Sequence, residues 1–386
     1  VIQGGEAVEV ATFRTESDYS DGRHPDAVDF CGPEQDALRR DFTINAMFWD
    51  PIEDRVLDYA GGLEDLKGSV LRAVGDAETR FREDHIRLIR AVRFAARLHF
   101  EIEEKTRRAI RRLAHLVMDV SAERLREELR IILTDDDPAA ALRLMDELDM
   151  LGRIFPELED ARGCEQPENY HPEGDVFVHT ILTVEKLGPR PDFELAMAAL
   201  LHDVGKPQAS RRAGRYYFPD HERIGAEMAR AICRRLRLSN QETMRIRWLV
   251  KRHMYFKDAQ KMRGRTLKRL FAEPGFEQLA ELHRADALAS WGNLTDYEYV
   301  MAHYRDMPPE QIEPERLING SDLIEMGYRP GPFIGEALRK VRDAQLDGEI
   351  TGRDEALRLA AELADRLSPD GAAEKRAGHD DTTKEG

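Results

Sequence analysis

The chain has 386 residues, 41% of them hydrophobic and 34% charged, which is typical of a globular protein with two to four domains. No apolar run approaches the roughly 18 residues that a membrane helix needs, so the sequence predicts no membrane association. The three cysteines lie far apart and form no CxxC pair. This cysteine pattern favours a reducing, cytoplasmic location and argues against both disulfides and a thiolate zinc site.

The net charge of −16 gives no overall attraction to nucleic acid, so RNA binding would depend on local basic segments. Two such segments occur. Residues 80–112 contain eleven Lys or Arg against five Asp or Glu, and residues 245–270 contain ten against one. Each segment is also compatible with a solvated helix face.

In chain order, the hydrophobic pattern predicts short strands first and helices afterwards. Alternation predicts strands at 6–14, 42–50 and 55–59, followed by a glycine turn and a short helix within 59–68. Helical periodicity then predicts four consecutive helices, at 83–99, 103–116, 121–134 and 138–148. Residues 156–175 are rich in Pro, Glu and Gly and predict a linker; a second helical block covers about 176–305.

The stretch EDHIRLIRAVRFAARL (83–98) places apolar side chains on one helical face and four arginines on the other. Asp84 and Arg87 are three residues apart, so on one helix they would project together. One interpretation is a surface ion pair. The other is base recognition. Cytosine and adenine offer an amine donor beside a ring-nitrogen acceptor, which a carboxylate and a guanidinium would bind, whereas guanine and uracil present the opposite order.

Three motifs in order resemble a known family. RRDFTIN (39–45), DYAGGLEDLKGSVLRAVG (58–75) and EDHIRLIRAVRFAARL (83–98) resemble motifs of the bacterial class II CCA-adding tRNA nucleotidyltransferase and poly(A) polymerase family. The resemblance covers residues 1 to about 150.

This resemblance implies a role for each matching residue. Arg40, with Arg39 beside it, would contact nucleotide phosphates, and Asp41 would hold the ribose or brace the site. Asp84 and Arg87 would form the amino-acid template for the base, with Glu83 supporting them and Arg90 gripping the nucleotide. Glu9 would be a catalytic carboxylate. The implied partners are CTP, ATP and a tRNA or other RNA 3′ end.

Nucleotidyl transfer in this family implies two Mg²⁺ ions, held chiefly by a DxD motif after a glycine-rich loop. Both would lie upstream of Glu9, and the sequence before Glu9 contains neither. We therefore expect that the chain lacks the amino-terminal part of the catalytic head and does not add nucleotides as it stands. Loss of transfer in this lineage is the alternative expectation.

A second site is indicated further along the chain. HPEGDVFVHT (171–180) precedes LAMAALLHDVGKP (195–207), and LHRADALAS (282–290) follows. The set His179, His202, Asp203 and Asp286 resembles the metal ligands of the HD phosphohydrolase superfamily. His221 and His253 stand where some members of that superfamily bind a second metal. The resemblance implies a divalent ion such as Ni²⁺, Mn²⁺ or Mg²⁺.

These patterns predict a mainly α fold with four parts and a tail. We expect a short β remnant of a nucleotidyltransferase head (1–75), a helical neck or body that binds RNA and nucleotide (76–160), a helical HD domain (171–305) and a small helical C-terminal module (316–367). Residues 368–386 predict a disordered tail. In the C-terminal module Arg329, Arg339 and Lys340 either contact tRNA or are part of packing against the preceding domain.

The function indicated is addition of CCA to tRNA 3′ ends. A poly(A) polymerase and an enzyme that adds part of CCA share the same motifs and stay open. From other classes, an HD phosphohydrolase or cyclic phosphodiesterase with an RNA-binding remnant and a non-catalytic RNA-binding module also stay open. The sequence does not indicate the oligomeric state.

Overall fold

The computed structural model describes residues 2–3, 6–7, 10–17, 27–167, 169, 171–213, 216–262, 264–312 and 314–367. The chain forms two compact units. The first comprises residues 1–255 and 281–294, and the second comprises residues 256–280 and 295–386. The predicted catalytic Glu9 and the predicted tail at 368–386 lie outside the described residues.

Strands occur at the start of the first unit, in two-stranded pairs. They are β1 (Ile2–Gln3), β2 (Glu6–Ala7), β3 (Arg14–Ser17), β4 (Ala27–Phe30), β5 (Met47–Asp50), β6 (Arg55–Asp58), β7 (Val70–Leu71) and β8 (Glu101–Ile102). The first three pairs are antiparallel hairpins, and β7 pairs in parallel with β8.

The strand predictions are partly wrong. Residues 10–13 are not in a strand, and residues 43–45 form a 3-10 turn before β5 begins. The strand prediction is wrong at 42–45 because the consecutive residues Phe42 and Thr43 are both buried, whereas a strand would place them on opposite faces. Phe42 makes an edge-on contact with Phe94, and Thr43 Oγ1 donates to Asp65. The strand predicted at 55–59 is confirmed as β6.

A first set of helices follows the strands along the first unit. They are α1 (Pro33–Leu38), α2 (Gly62–Gly68), α3 (Ala77–Glu83), α4 (Ile86–Leu98), α5 (Glu104–Leu113), α6 (Ala122–Leu133), α7 (Pro138–Glu147), α8 (Leu151–Ile154) and α9 (Pro156–Glu159). The Asp76 side chain accepts from Thr79 N at the start of α3, and Asp137 caps α7 in the same way. Leu88, Ile89 and Val92 of α4 are fully buried, which confirms the predicted apolar face of that helix.

A second set of helices carries the histidine-rich motifs. These are α10 (Val176–Lys186), α11 (Phe193–Leu201), α12 (Lys206–Ala213), α13 (His221–Arg235), α14 (Asn240–Arg252) and α16 (Phe276–Ala289), of which residues 281–289 belong to the first unit. The apolar helix α11 ends at Leu201, and His202 follows it as the C-cap residue. A side chain at Gly205 would meet the carbonyl of His221 at 2.2 Å, so glycine allows the turn after His202 to approach α13 closely.

The second unit contains α15 (Gly264–Phe271), α17 (Thr295–Asp306), α18 (Pro309–Ile312), α19 (Gly320–Glu325), α20 (Pro332–Leu346) and α21 (Arg353–Leu367). The last three helices enclose their own core, in which Leu323, Ala337 and Ala360 are fully buried. These helices lie within the predicted C-terminal module, whose boundaries at 316 and 367 stay a prediction. Among the described residues, none of the helices combines the length and the apolar character that a membrane crossing requires.

Candidate functional sites

The first candidate site forms where residues 39–41 meet α3 and α4. The Arg87 side chain donates from Nη2 to the carbonyl oxygen of Arg39 at 3.0 Å. Arg90 Nη2 lies 2.6 Å from Asp41 Oδ2. Residues that lie 48 and 49 positions apart in the chain, in two different motifs, are thus in direct contact.

Asp41 acts as a brace in this arrangement. Its side chain is 8% exposed and accepts hydrogen bonds from Arg90, from the Asn45 amide at 3.1 Å and from the backbone of Phe42. Asp41 therefore fixes both the chain direction after residue 41 and the position of the Arg90 guanidinium.

Arg39 and Arg40 both bind Asp36 of α1. Arg39 Nη2 lies 2.6 Å and Arg40 Nη2 3.1 Å from its carboxylate oxygens. Burial by itself would raise the pKa of Asp36, but hydrogen bonds from Arg39 and from the backbone of Arg14 lower that pKa overall. Arg40 also lies over the Phe48 ring at 4.8 Å. A fixed carboxylate therefore holds two cations side by side.

The predicted single helix over 83–99 is wrong at its start. Helix α3 ends at Glu83, Asp84 is extended with φ −144° and ψ 105°, and α4 begins at Ile86. Asp84 and Arg87 therefore do not form the i,i+3 helical pair that the helical wheel suggested. Hydrophobic periodicity does not show this break, because the residues on both sides of it have helical composition.

Asp84 binds Arg124 of α6 instead. The two guanidinium nitrogens donate to the two carboxylate oxygens at 2.9 and 2.8 Å, the two-point geometry in which arginine binds carboxylates most strongly. Arg124 was not predicted from the sequence. It is one basic residue on a predicted amphipathic helix, and its partner Asp84 lies 40 residues away in the chain, so no local pattern connects the two.

Arg87 is buried rather than on a polar face, with 8% of its surface exposed. Its Nη1 donates to Glu83 Oε2 at 2.8 Å and to the carbonyl of Arg80 at 3.0 Å. Glu83 also pairs with Arg80. Glu83, in the last turn of α3, thus contacts Arg87 directly, and its implied role in nucleotide binding stays a prediction.

A second ion pair between α4 and α6 was also not predicted from the sequence. Arg93 Nη1 of α4 is 3.2 Å from Glu128 Oε2 of α6. Burial lowers the pKa of Arg93 and raises the pKa of Glu128, although each charge partly offsets the effect on the other. Helix α6 therefore contacts the site through two opposite charges, Arg124 and Glu128, one turn apart.

The second candidate site gathers all six predicted histidine and aspartate residues. His179 lies one turn into α10, His202 and Asp203 follow α11, His221 begins α13, His253 follows α14, and Asp286 lies on α16. The four histidines and Asp203 are each less than 8% exposed. The tertiary structure thus collects these side chains from five helices.

Two neighbouring groups of potential metal ligands can be distinguished in this cluster. His179 Nε2 lies 3.0 Å from Asp286 Oδ1 and 3.2 Å from His202 Nε2. His221 Nε2 lies 3.3 Å from His253 Nε2. Both groups are compact enough to hold a metal ion, and the second group includes Asp203.

Asp203 lies between the two groups. Its Oδ2 is 3.2 Å from His202 Nε2, whereas its Oδ1 is 3.6 Å from His221 Nε2 and 3.7 Å from His253 Nε2. Oδ1 is buried and accepts no hydrogen bond from any described residue. A buried carboxylate oxygen without a donor is costly, and a cation at this point would satisfy it.

Each histidine is oriented so that Nε2 faces the cluster. Nδ1 of His202, His221 and His253 lies 2.7–2.8 Å from a backbone carbonyl, and a carbonyl only accepts, so Nδ1 carries the proton. His179 Nδ1 lies 2.6 Å from Glu173 Oε1 instead. This fixed tautomer leaves each Nε2 lone pair available for a divalent metal, so the residues present fit the implied metal.

Glu173 and Lys206 are further members that sequence reasoning missed. Glu173 also accepts from His171 at 2.8 Å, and the HPEG stretch was the signal that could have identified it. Lys206 Nζ lies 2.6 Å from Asp203 Oδ2 and donates to Gln166 Oε1 at 2.6 Å. Burial raises the pKa of Asp203, but the neighbouring His202 ring and the Lys206 ammonium lower it well below its ordinary value.

These two sites define a class of protein, one that joins a nucleotidyltransferase-type head and neck to a helical domain with a buried histidine and aspartate cluster. Family models match in the same order: the poly(A) polymerase head domain at residues 1–72, the probable RNA- and SrmB-binding site of polymerase A at 99–162, and the HD domain at 177–291.

Two curated relatives are similar over most of the chain. The A-adding tRNA nucleotidyltransferase of Deinococcus radiodurans is 34% identical over 84% of this chain and 77% of its own length. The CC-adding tRNA nucleotidyltransferase of Thermus thermophilus is 32% identical over 84% of this chain and 76% of its own length. The solved CCA-adding enzyme of Bacillus stearothermophilus, in complex with CTP, is 26% identical with a TM-score of 0.61, covering 95% of this chain and 80% of that one.

The chain therefore belongs to the family of CCA-adding tRNA nucleotidyltransferases and poly(A) polymerases, which are nucleotidyltransferases acting on RNA 3′ ends. The predicted family and the mainly α fold are confirmed. The domain boundaries given above and the assignment of individual site residues stay predictions.

Proposed function

We propose that this protein is a tRNA nucleotidyltransferase that adds C, A or both to the 3′ end of tRNA from CTP and ATP. The support is the identity of 34% and 32% to relatives named as A-adding and CC-adding enzymes, and the likeness to a solved CCA-adding enzyme bound to CTP. The contact between residues 39–41 and α4 is the structural observation that carries the proposal. A cytoplasmic location stays a prediction.

Base selection would use Asp84 and Arg87, even though both already have partners. Arg124 occupies one lone pair on each Asp84 oxygen, and a carboxylate has about four such positions, so an exocyclic amine can still be accepted. Arg87 uses three N–H groups in the contacts described above, and a guanidinium has five. Arg124 and Glu83 would then hold the two reading groups in place rather than compete with the base.

The phosphates would be bound by neighbouring arginines. The side chains of Arg40 and Arg90 are 39% and 34% exposed, unlike Arg87. Asp36 and Asp41 fix these two guanidinium groups, and preorganised cations bind phosphate without a further ordering cost. We assign Asp41 to bracing Arg90 rather than to holding the ribose.

The magnesium ions implied for transfer do not have a described ligand set. Glu9, the predicted catalytic carboxylate, lies outside the described residues. No step of nucleotidyl transfer is therefore assigned to the described residues.

Nucleotide binding tests base selection separately from transfer. We expect CTP and ATP to bind the 386-residue chain at least tenfold more tightly than UTP and GTP. Asp84→Ala should abolish this preference, while Asp149→Ala, at an exposed turn after α7, should preserve it. Equal affinity of the wild-type chain for all four nucleotides would contradict the proposal.

Transfer assays address the alternatives within the class. Three tRNA substrates, lacking the whole CCA end, lacking its last two nucleotides or lacking only the terminal A, would be offered with CTP and ATP separately. Addition of C alone, of A alone or of all three residues distinguishes the partial enzymes from the complete one, and repeated A addition identifies a poly(A) polymerase.

A second function is favoured by the cluster around Asp203. We propose a divalent-metal phosphohydrolase or cyclic phosphodiesterase in which His179, His202, Asp203 and Asp286 hold one ion, and Asp203, His221 and His253 a second. Such an ion would lower the pKa of a bound water and polarise a phosphate oxygen. The histidines are held in the metal-binding tautomer by backbone carbonyls and Glu173, and Lys206 offsets the charge of Asp203.

Metal analysis and hydrolysis assays test this second function. We expect up to two equivalents of Ni²⁺ or Mn²⁺ per chain and turnover of phosphomonoesters or 2′,3′-cyclic phosphates. Asp203→Ala should remove both. Metal binding without turnover would indicate that the cluster is a structural metal centre and not a catalytic one. Salt-dependent RNA binding without any turnover would support a non-catalytic RNA-binding protein.

A further inference from the structure

The exposed face of α14 carries aromatic and cationic side chains in one stripe. Thr243, Ile246, Leu249 and Val250 are buried, whereas Met244, Arg245, Trp248, Lys251 and Arg252 fall within about 120° of one another on the opposite side. Tyr255, in the 3-10 turn after the helix, continues the stripe. Neither proposed site uses any of these six residues.

Three of these side chains are stacked. The Arg252 guanidinium carbon lies 5.2 Å from the Trp248 ring and 4.8 Å from the Tyr255 ring, distances at which a cation is attracted to a π face. Tyr255 is 43% exposed, and Trp248 and Arg252 are half-buried. The stack therefore presents aromatic surface to solvent in a defined orientation.

The stripe is positively charged within an acidic protein. Arg245 and Lys251 form no ion pair with any residue in the described part of the chain, whereas Arg247, on the flank of the helix, pairs with Glu227 at 2.6 Å. With a net charge of −16, the molecule as a whole repels polyanions, so a local stripe of this kind is where one can bind.

We propose that Trp248, Arg252 and Tyr255 form a stacking platform for an unpaired nucleotide of RNA, with Arg245 and Lys251 binding the adjacent phosphates. Every base has a π face that can stack on an aromatic ring or a guanidinium plane, and cations beside the ring bind the backbone. A single exposed aromatic side chain is common on protein surfaces and does not indicate a binding site. Here an arginine contacts two aromatic rings, and two cations without ion-pair partners among the described residues lie beside them, a combination that suits single-stranded RNA. The platform is independent of Asp84 and of the Asp203 cluster.

Fluorescence anisotropy with a labelled 12-nucleotide oligo(A) and a 12-base-pair RNA duplex tests the platform in the full chain. Trp248→Leu and Tyr255→Leu should each weaken oligo(A) binding about 5- to 100-fold, the range for loss of one stacked base, with little effect on the duplex. Arg245→Ala/Lys251→Ala should make the slope of log K against log[NaCl] shallower by about 1.4, since each single-strand phosphate contact contributes about 0.7. Saturating oligo(A) should quench part of the tryptophan fluorescence, and Trp248→Leu should remove that part.

The matched control is Arg223→Ala/Arg230→Ala on α13, which removes the same charge from exposed residues that pair with acids. This control should keep affinity and slope within about twofold of the wild type. Wild-type affinity in Trp248→Leu and in Arg245→Ala/Lys251→Ala would overturn the proposal, as would equal losses in these variants and the control. Because the readout is binding of oligo(A), the result does not depend on whether the chain transfers nucleotides or hydrolyses phosphates.

Discussion

Arg90 and Asp41, 49 residues apart in the chain, form an ion pair in which Arg90 Nε donates to Asp41 Oδ2 at 2.9 Å. This pair connects the segment after α1 to the middle of α4. It places the arginines at 39 and 40 beside the helix that carries Arg87, and thereby assembles the proposed nucleotide site from two separate motifs.

Removing this brace should destabilise the protein. Asp41→Ala leaves Arg90 and the Asn45 amide without their acceptor, and loss of a largely buried charged hydrogen bond costs about 1–3 kcal/mol of unfolding free energy. Urea unfolding followed by circular dichroism measures the change. Asp136→Ala, which removes an exposed partner of Arg190, should stay within about 0.5 kcal/mol; an equal loss in both variants would argue against a bracing role.

Arg124 should affect nucleotide affinity without reversing base preference. Arg124→Ala removes both bonds to Asp84 but leaves the carboxylate in place, so the affinities for CTP and ATP should fall together by about tenfold, which is 1.4 kcal/mol. Asp84→Ala, in contrast, should remove discrimination against UTP and GTP. Titration calorimetry with the four nucleotides distinguishes the two results. If Arg124→Ala alone equalised the four affinities, Arg124 would be a reading residue and not a positioning residue.

Glu173 should control the affinity of the buried cluster for metal. Glu173→Ala releases Nδ1 of His179, and loss of a carboxylate that orients a ligating histidine typically costs 10- to 100-fold in metal affinity. Glu173→Gln keeps an acceptor at this position and should lose less. Calorimetric titration with Ni²⁺ measures both. The control is Glu185→Ala on α10, the helix that carries His179, and it removes only surface pairs with Arg143 and Lys186. If it matched Glu173→Ala, the effect would not come from orientation of His179.

Glu128 should make stability depend on pH. Burial raises the pKa of Glu128 above its ordinary value of 4.5, so the folded protein holds this proton more tightly than the unfolded chain does. The stabilising contribution of the protonated carboxyl is complete below pH 4.5 and is lost as the pH rises through the raised pKa. Glu128→Gln stays neutral throughout.

The unfolding free energy of Glu128→Gln should therefore improve relative to the wild type as the pH rises from about 4 to 7. Urea unfolding of both proteins at four pH values provides the comparison, and other titrating groups cancel in the difference. A difference that stays constant over this range would show that Glu128 ionises in the folded state as readily as in the unfolded chain.

Local pattern predicted several elements well. The apolar face of α4 and the strand β6 depend on residues within a few positions of one another, which hydrophobic periodicity reports. The break at Asp84 was not predictable in this way, because both α3 and α4 have helical composition and the separation arises from contacts of Arg87 with Arg39 and of Asp84 with Arg124.

Residue type and short spacing were enough to predict the family and the mainly helical character, because those properties are carried by local motifs and hydrophobic periodicity. The tertiary structure alone decided which charges meet. It paired Asp84 with Arg124, buried Arg87 against Glu83, placed Asp203 between two pairs of histidines and brought Glu173 to His179. Such pairings join residues distant in the chain, and the free energy that selects them comes from burial and hydrogen bonding in the assembled fold, which no local segment contains.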